Sequence, residues 1–221
     1  MSSQHNKAIV WISGWGYSPD VFLKCCVELE GFQHLRISAV EALELLTNSE
    51  LRNTRLREDS EIIAIVGWSV GGMLATQLRQ YIKATQPKVF AICSGKYFLF
   101  PIDESGQNMD DSLKDTRARL RGLKKSYLRD RDRTLRDFAR LCGDDSAEFE
   151  GQDFANVELL DYLLEADVSQ EWEQAQTISV SASGDRVWRN GDAPMVVIPD
   201  SDHCLPQKKP MELAKMLLDL L

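Results

Sequence analysis

Three residues of this 221-residue chain combine the types and surroundings that nucleophilic catalysis needs: Ser69, Asp185 and His203. Ser69 stands in Gly67-Trp-Ser-Val-Gly-Gly72. Before it, Ile62, Ile63, Ile65 and Val66 make an apolar, β-branched run that reads as a buried parallel strand. After it, Val70, Met73, Leu74, Leu78, Tyr81 and Ile82 recur at helical spacing. A serine on a sharp strand-to-helix turn, with Gly67 and Gly71 letting the backbones approach, has its hydroxyl lifted clear of the sheet at the positive end of a helix. Such a hydroxyl needs a base. Of the three histidines, His5 lies in the chain end and His34 at an early strand, whereas His203 follows the last strand. It would take the serine proton and return it to a leaving group. A carboxylate would hold the imidazole in the useful tautomer and stabilise its cation. Asp185, in the loop after a late strand, fits that role; Asp200 and Asp202, beside the histidine, stay as alternatives, although immediate neighbours seldom aim at each other's ring nitrogens.

The elements that must carry these residues alternate. Lys7–Ser13 reads as a first strand and runs into the turn-rich Gly14–Asp20 loop. That loop, at Trp15, and the turn, at Val70, are placed to offer two backbone N–H groups to an oxyanion, and the Trp15 indole is placed to wall an acyl pocket. Asp20 is expected to cap a helix over 21–29. His34–Ser38 reads as a weaker strand, and 41–56 as a helix or loop of mixed character. Pro87–Ser94, Thr177–Ala182 and Pro194–Pro199 read as strands, and Gln207–Leu221 as an amphipathic helix. The alternation predicts an α/β fold with a mostly parallel, three-layer sheet. From 97 to 172 it stops. Leu113, Leu120, Leu123 and Tyr127 form one helical stripe, Leu135, Phe138 and Cys142 a second, and Val157, Leu160 and Leu164 a third, with Gly143 as a C-cap. Residues 97–172 are therefore expected to be a helical cap on a core of 1–96 and 173–221. The eight residues from 186 to 193 are short for a right-handed crossover helix, so a turn or extended loop is expected there.

Composition narrows the function classes. Five cysteines with no CxxC spacing argue against a disulfide framework or a zinc site and for a reducing cytoplasm. No apolar run approaches the roughly twenty residues that span a bilayer, so no membrane is expected as a partner. A monomer is expected. Neither metal nor other cofactor is implied, for there is no ligand cluster and no phosphate-binding loop. The net charge of −8 disfavours nucleic acid. It also hides an asymmetry. Between Asp110 and Arg140 eleven Lys/Arg face six Asp, a net of +5, leaving 15 basic and 28 acidic residues, a net of −13, elsewhere. Arg117, Arg121 and Lys124 share one helical face, and Arg133, Arg136 and Arg140 form a stripe opposite Leu135, Phe138 and Cys142 on the next. A basic island on an acidic body suits a local acidic partner, although charged stripes are more often merely solvated.

Gly14-Trp15-Gly16, Gly67-Trp-Ser-Val-Gly-Gly72, Arg133-Thr-Leu-Arg-Asp-Phe138 and the segment from Leu159-Leu160 to Asp167-Val168 together resemble the pimeloyl-acyl-carrier-protein methyl ester esterases of biotin synthesis, within the α/β-hydrolases. The resemblance implies an α/β-hydrolase core with the cap inserted after the strand that follows the elbow helix. It implies a Ser69, Asp185, His203 triad and hydrolysis of the methyl ester of pimeloyl-acyl carrier protein to methanol and the free pimeloyl carrier. It places the acyl chain against Trp15, Ser69, Val70, Phe138, Leu141, Cys142 and His203, and the acidic carrier on the basic cap. Ser13-Gly14 stands where the family opens this loop with His-Gly, and Asp137 where a docking arginine is usual. Two other readings remain: a different esterase or thioesterase of the same fold with an incidental cap, and a hydrolase-fold protein that only binds.

Overall fold

A computed structural model describes residues 6–56, 61–82, 85–98, 111–145, 153–188 and 194–221, the side chains of 111–115 excepted. Six strands form one sheet: β1 Lys7–Ile12, β2 Gln33–Ile37, β3 Glu61–Trp68, β4 Lys88–Ile92, β5 Ile178–Ala182 and β6 Val196–Ile198. Their order is β2-β1-β3-β4-β5-β6, and every neighbouring pair is parallel. The unbroken apolar runs follow from this, since helices cover both faces. Along β1, Ile9 and Trp11 enter one buried cluster, Val10 and Ile12 the other.

Helix α1 Leu23–Glu28 carries the chain from β1 to β2 on one face; α2 Ala39–Thr47 and α3 Ser49–Arg55 carry it back past β1 to β3 on the other. The chain therefore reverses direction between β1 and β3. In open parallel sheets the crevice beyond the strand ends at such a reversal is where ligands bind. Here it receives the loop after β1 and the turn after β3.

Local chemistry sets most boundaries, sometimes differently from the periodicity. The expected helix over 21–29 is a 3-10 turn, Pro19–Phe22, followed by α1, and Ser18, rather than Asp20, accepts from the turn's N–H at 3.2 Å. Asp20 instead pairs with Arg36. The mixed stretch 41–56 resolves into α2 and α3 because Ser38 and Asn48 each cap a new start.

After β3 the elbow helix α4 Val70–Leu78 leads to β4, and α5 Asp111–Arg129, α6 Arg131–Cys142 and α7 Val157–Glu165 follow before β5. Asp130 caps α6, and Gly143, at φ 92°, ends it. Helix α5 packs on α6 and α7, α7 touches α2, and Tyr162 donates to Gln77 of α4 at 2.8 Å. Leu113, expected on the first stripe, has its side chain outside the described residues, as does His5 altogether. The boundary expected at 172 cuts through α8 Ser169–Ala175, which packs against α4 in the core layer. Helix α9 Leu205–Lys208 and α10 Pro210–Leu220 replace the single expected C-terminal helix, Pro210 opening the second. Among the described residues no helix is long and apolar enough to cross a membrane, and all five cysteines are free and buried.

Candidate active site

The turn after β3 is set by backbone contact. A Cβ on Gly67 would sit 2.1 Å from the Gly71 carbonyl oxygen, and one on Gly71 would lie 2.5 Å from the carbonyl oxygens of Ile12 and Ser13. Only glycine lets β3, α4 and the end of β1 close this tightly. Ser69 is left at φ 58°, ψ −129°, a conformation a non-glycine residue holds only when its surroundings enforce it. Its N–H is tied to the Ile92 carbonyl at 2.8 Å. The hydroxyl emerges at the N-terminus of α4, 6% exposed as a residue.

The other two residues come from the loops after β5 and β6. His203 Nε2 lies 3.0 Å from Ser69 Oγ, and its Nδ1 lies 2.9 and 3.1 Å from the two oxygens of Asp185. The loops are bonded to each other, Gly184 N–H to the Ser201 carbonyl at 2.8 Å and Ser183 N–H to that of Ile198 at 3.1 Å. Trp68, next to the serine, donates its indole N–H to the His203 carbonyl at 2.7 Å. Burial pushes the Asp185 carboxyl up, but the hydrogen bond and charge of His203, with the N–H groups of Trp188 and Val187, outweigh it and hold the group below its ordinary value. An ionised Asp185 places the proton on Nδ1 and leaves Nε2 to accept from Ser69. Asp185 is the carboxylate at the ring. Asp202 instead accepts from Cys204 N–H at 3.1 Å, pairs with Lys208 and packs on Gly143, while Asp200 is exposed at φ 50°.

Sequence reasoning missed a buried cysteine shell. Cys93 Sγ, the Asp185 carboxylate and a His203 nitrogen lie within 4.8 Å of one another, a grouping that could ligate a metal. Burial first, then the Asp185 charge, keeps the Cys93 thiol well above its ordinary value. A metal would need the thiolate and would break the Asp185–His203 bond. Cys142 and Cys204 are hydrogen-bonded thiols, and Tyr17 Oη is 3.7 Å from Cys204 Sγ. They pin α6 behind the histidine loop, where Cys204 N–H also meets the Cys142 carbonyl at 3.2 Å.

The loop after β1 is shaped by Ser13, whose hydroxyl donates to the Tyr17 carbonyl at 2.7 Å. Val70 opens α4, so its N–H has no carbonyl one turn back to bond. Trp15 is held from above by the cap. Its indole N–H donates to the Asn156 carbonyl at 3.0 Å, and its ring meets Tyr127 and Phe138 edge-on at 5.3 and 5.1 Å. Gly16 N–H bonds the Phe154 carbonyl at 3.0 Å, and Tyr127 Oη the Ala155 carbonyl at 2.6 Å. Phe138 thus packs on Trp15 beneath the cap. Leu141, expected beside it, is 51% exposed. It stands one position, about 100°, round α6 from the buried Cys142.

The basic residues are partly neutralised within the cap. Lys124 pairs with Asp161 at 2.5 Å, and Arg133 and Arg140 flank Asp137 at 3.7 and 3.1 Å. Arg117, Arg121 and Arg136 have no ion pair among the described residues, and Arg121 and Arg136 are exposed. Away from the serine, a groove of about 630 Å³ lies between α8, β5 and Pro194–Met195, lined by Ser179, Ser181, Thr177, Gln176 and Trp172 among others. No described helix crosses from β5 to β6, and Ser179 and Ser181 of β5 line the groove.

No family model and no curated protein matches the sequence. Solved structures do match its fold. A hydrolase from Oleispira antarctica is 16% identical, with a TM-score of 0.70 over 97% of this chain and 90% of that one. A structure from a study of carboxylesterases of the thaumarchaeon Nitrososphaera gargenis is 15% identical, with a TM-score of 0.62 over 100% and 91%. A thermophilic esterase from Thermogutta terrifontis is 14% identical, with a TM-score of 0.59 over 99% and 90%. The chain has the α/β-hydrolase fold.

Proposed function

We propose that this protein is a serine carboxylesterase whose substrate is the methyl ester of a pimeloyl chain carried on acyl carrier protein. The observation that carries the reading is the buried hydrogen-bonded line from Asp185 through His203 to a Ser69 held at positive φ on a helix N-terminus. His203 Nε2 takes the proton as Ser69 Oγ attacks the ester carbonyl. The N–H groups of Trp15 and Val70 receive the negative charge on its oxygen. The imidazolium, stabilised by Asp185, then gives the proton to the departing methoxide, and methanol leaves. Water, deprotonated by the same nitrogen, releases the acid and restores the serine.

Ester chemistry is supported by the hydrolases and esterases that share the fold. The carrier is supported by the +5 island, in which Arg117, Arg121 and Arg136 have no ion pair among the described residues; Lys124, Arg133 and Arg140 would exchange intramolecular acids for the carrier's. Trp15 and Phe138 would flank the acyl chain. That internal neutralisation also favours a second reading, an esterase or thioesterase acting on small free substrates.

A fluorophosphonate should label the protein, and Ser69→Ala should abolish labelling and lower kcat by about 10⁴- to 10⁶-fold. Labelling that survives the substitution sinks the catalytic reading. Carrier-bound pimeloyl methyl ester should outpace free methyl pimelate, with an advantage that shrinks as salt rises. Equal, salt-insensitive rates would remove the carrier and leave the esterase.

A further inference from the structure

Three of the five tryptophans spend their indole N–H on an identified acceptor: Trp11 on His34 Nδ1, Trp15 on the Asn156 carbonyl and Trp68 on the His203 carbonyl. Trp188 does not. It is 7% exposed, and its Nε1 is buried with no hydrogen-bond partner among the described residues. A buried donor left unpaired bears the full loss of its hydration. The position of this unpaired donor suggests a use.

Trp188 belongs to the acid's loop. Its backbone N–H donates to Asp185 Oδ1 at 2.9 Å, two hydrogen bonds from Ser69 Oγ. Its ring enters the same buried apolar cluster as Trp15, Val70 and Leu135 and meets Phe98, where the chain leaves the core for the cap, edge-on at 4.9 Å. The donor therefore sits in apolar surroundings that strengthen whatever hydrogen bond it makes.

Resting on the esterase reading above, we infer that Trp188 is a specificity-determining residue: its indole N–H hydrogen-bonds an oxygen acceptor on the acyl part of the ester. The substrate class is then an ester whose acyl chain carries a second carbonyl or similar oxygen, in preference to one whose chain is plain hydrocarbon. The discrimination is of the kind a site with a committed donor achieves, because a chain lacking the acceptor leaves that donor dry and unpaired.

The test compares dimethyl pimelate with methyl octanoate, chains of similar length that differ in the distal oxygen. The wild-type protein should prefer dimethyl pimelate by about tenfold in kcat/KM after allowance for its two ester groups, the size expected of one neutral hydrogen bond. Trp188→Phe should bring that ratio near one. A wild-type protein with no preference overturns the inference without any variant, as does a variant that loses activity equally on both esters or keeps the wild-type ratio. Should neither ester be hydrolysed, the esterase reading is what has failed. Binding then decides: dimethyl pimelate should bind Ser69→Ala about tenfold more tightly than the Ser69→Ala, Trp188→Phe double variant in calorimetry, and equal Kd values overturn the donor role.

Discussion

Ser69 and His203 lie 3.0 Å apart, yet the chain holds them by unlike means. The serine is fixed by backbone: a strand, two glycines in contact with carbonyls, and a helix, all within residues 61–78. The histidine is fixed by side chains and loops drawn from distant segments: Asp185 eighteen residues earlier, the Trp68 indole from β3, the Gly184–Ser201 bond and the thiols of α6. A nucleophile must hold a strained conformation before substrate arrives, and short-range backbone contact enforces that. A base must change charge during the reaction, so it is set among groups that respond to charge.

This contrast can be broken from either side. The largest effect is expected on the responsive side: Asp185→Asn should lower kcat about 10⁴-fold while leaving fluorophosphonate access to Ser69, because the amide favours the wrong imidazole tautomer. On the rigid side, Gly67→Ala, which sets a methyl 2.1 Å from a carbonyl oxygen, should cost about 3 kcal/mol or more of stability in urea titrations. A well-folded Gly67→Ala protein with wild-type stability would show that the turn is not held by contact. Trp68→Phe removes the donor to the His203 carbonyl while keeping an aromatic ring beside Tyr17. It should cost about 1–2 kcal/mol in the same titration, and kcat should fall more than KM rises.

The smallest effect lies far from both. His34 Nδ1 accepts from Trp11 and Nε2 donates to the Leu29 carbonyl, so both ring nitrogens serve the neutral form; burial lowers its pKa from the ordinary 6.5. The unfolded chain therefore takes up this proton first. Stability is whole above about pH 6.5 and declines as pH falls from there toward the depressed folded value. Trp11 and His34 should show this as a lower urea midpoint at pH 5.5 than at pH 7. His34→Gln should flatten that difference.

What the sequence made legible follows the same division. The strand, turn and helix around Ser69 could be read because each part lies next to the others in the chain, and the parallel sheet because its apolar runs are continuous. Asp185, Asp200 and Asp202 could not be separated by their neighbours. The separation depends on the pairing of the β5 and β6 loops and on Lys208 and Gly143 drawing Asp202 aside. The indole of Trp15 reaches 141 residues along the chain for its acceptor, a distance no periodicity reports.

That acceptor belongs to Asn156, whose side chain at the same time caps α7 by accepting from Leu159 N–H at 2.9 Å. Together with the Gly16–Phe154 bond, it fastens the connector at 153–156 to the loop after β1 through the carbonyls of 154 and 156. The roof and the workbench are thus one fitting. Exchanging this roof for that of another protein of the same fold would dismantle the bench unless residues 153–156 travelled with it.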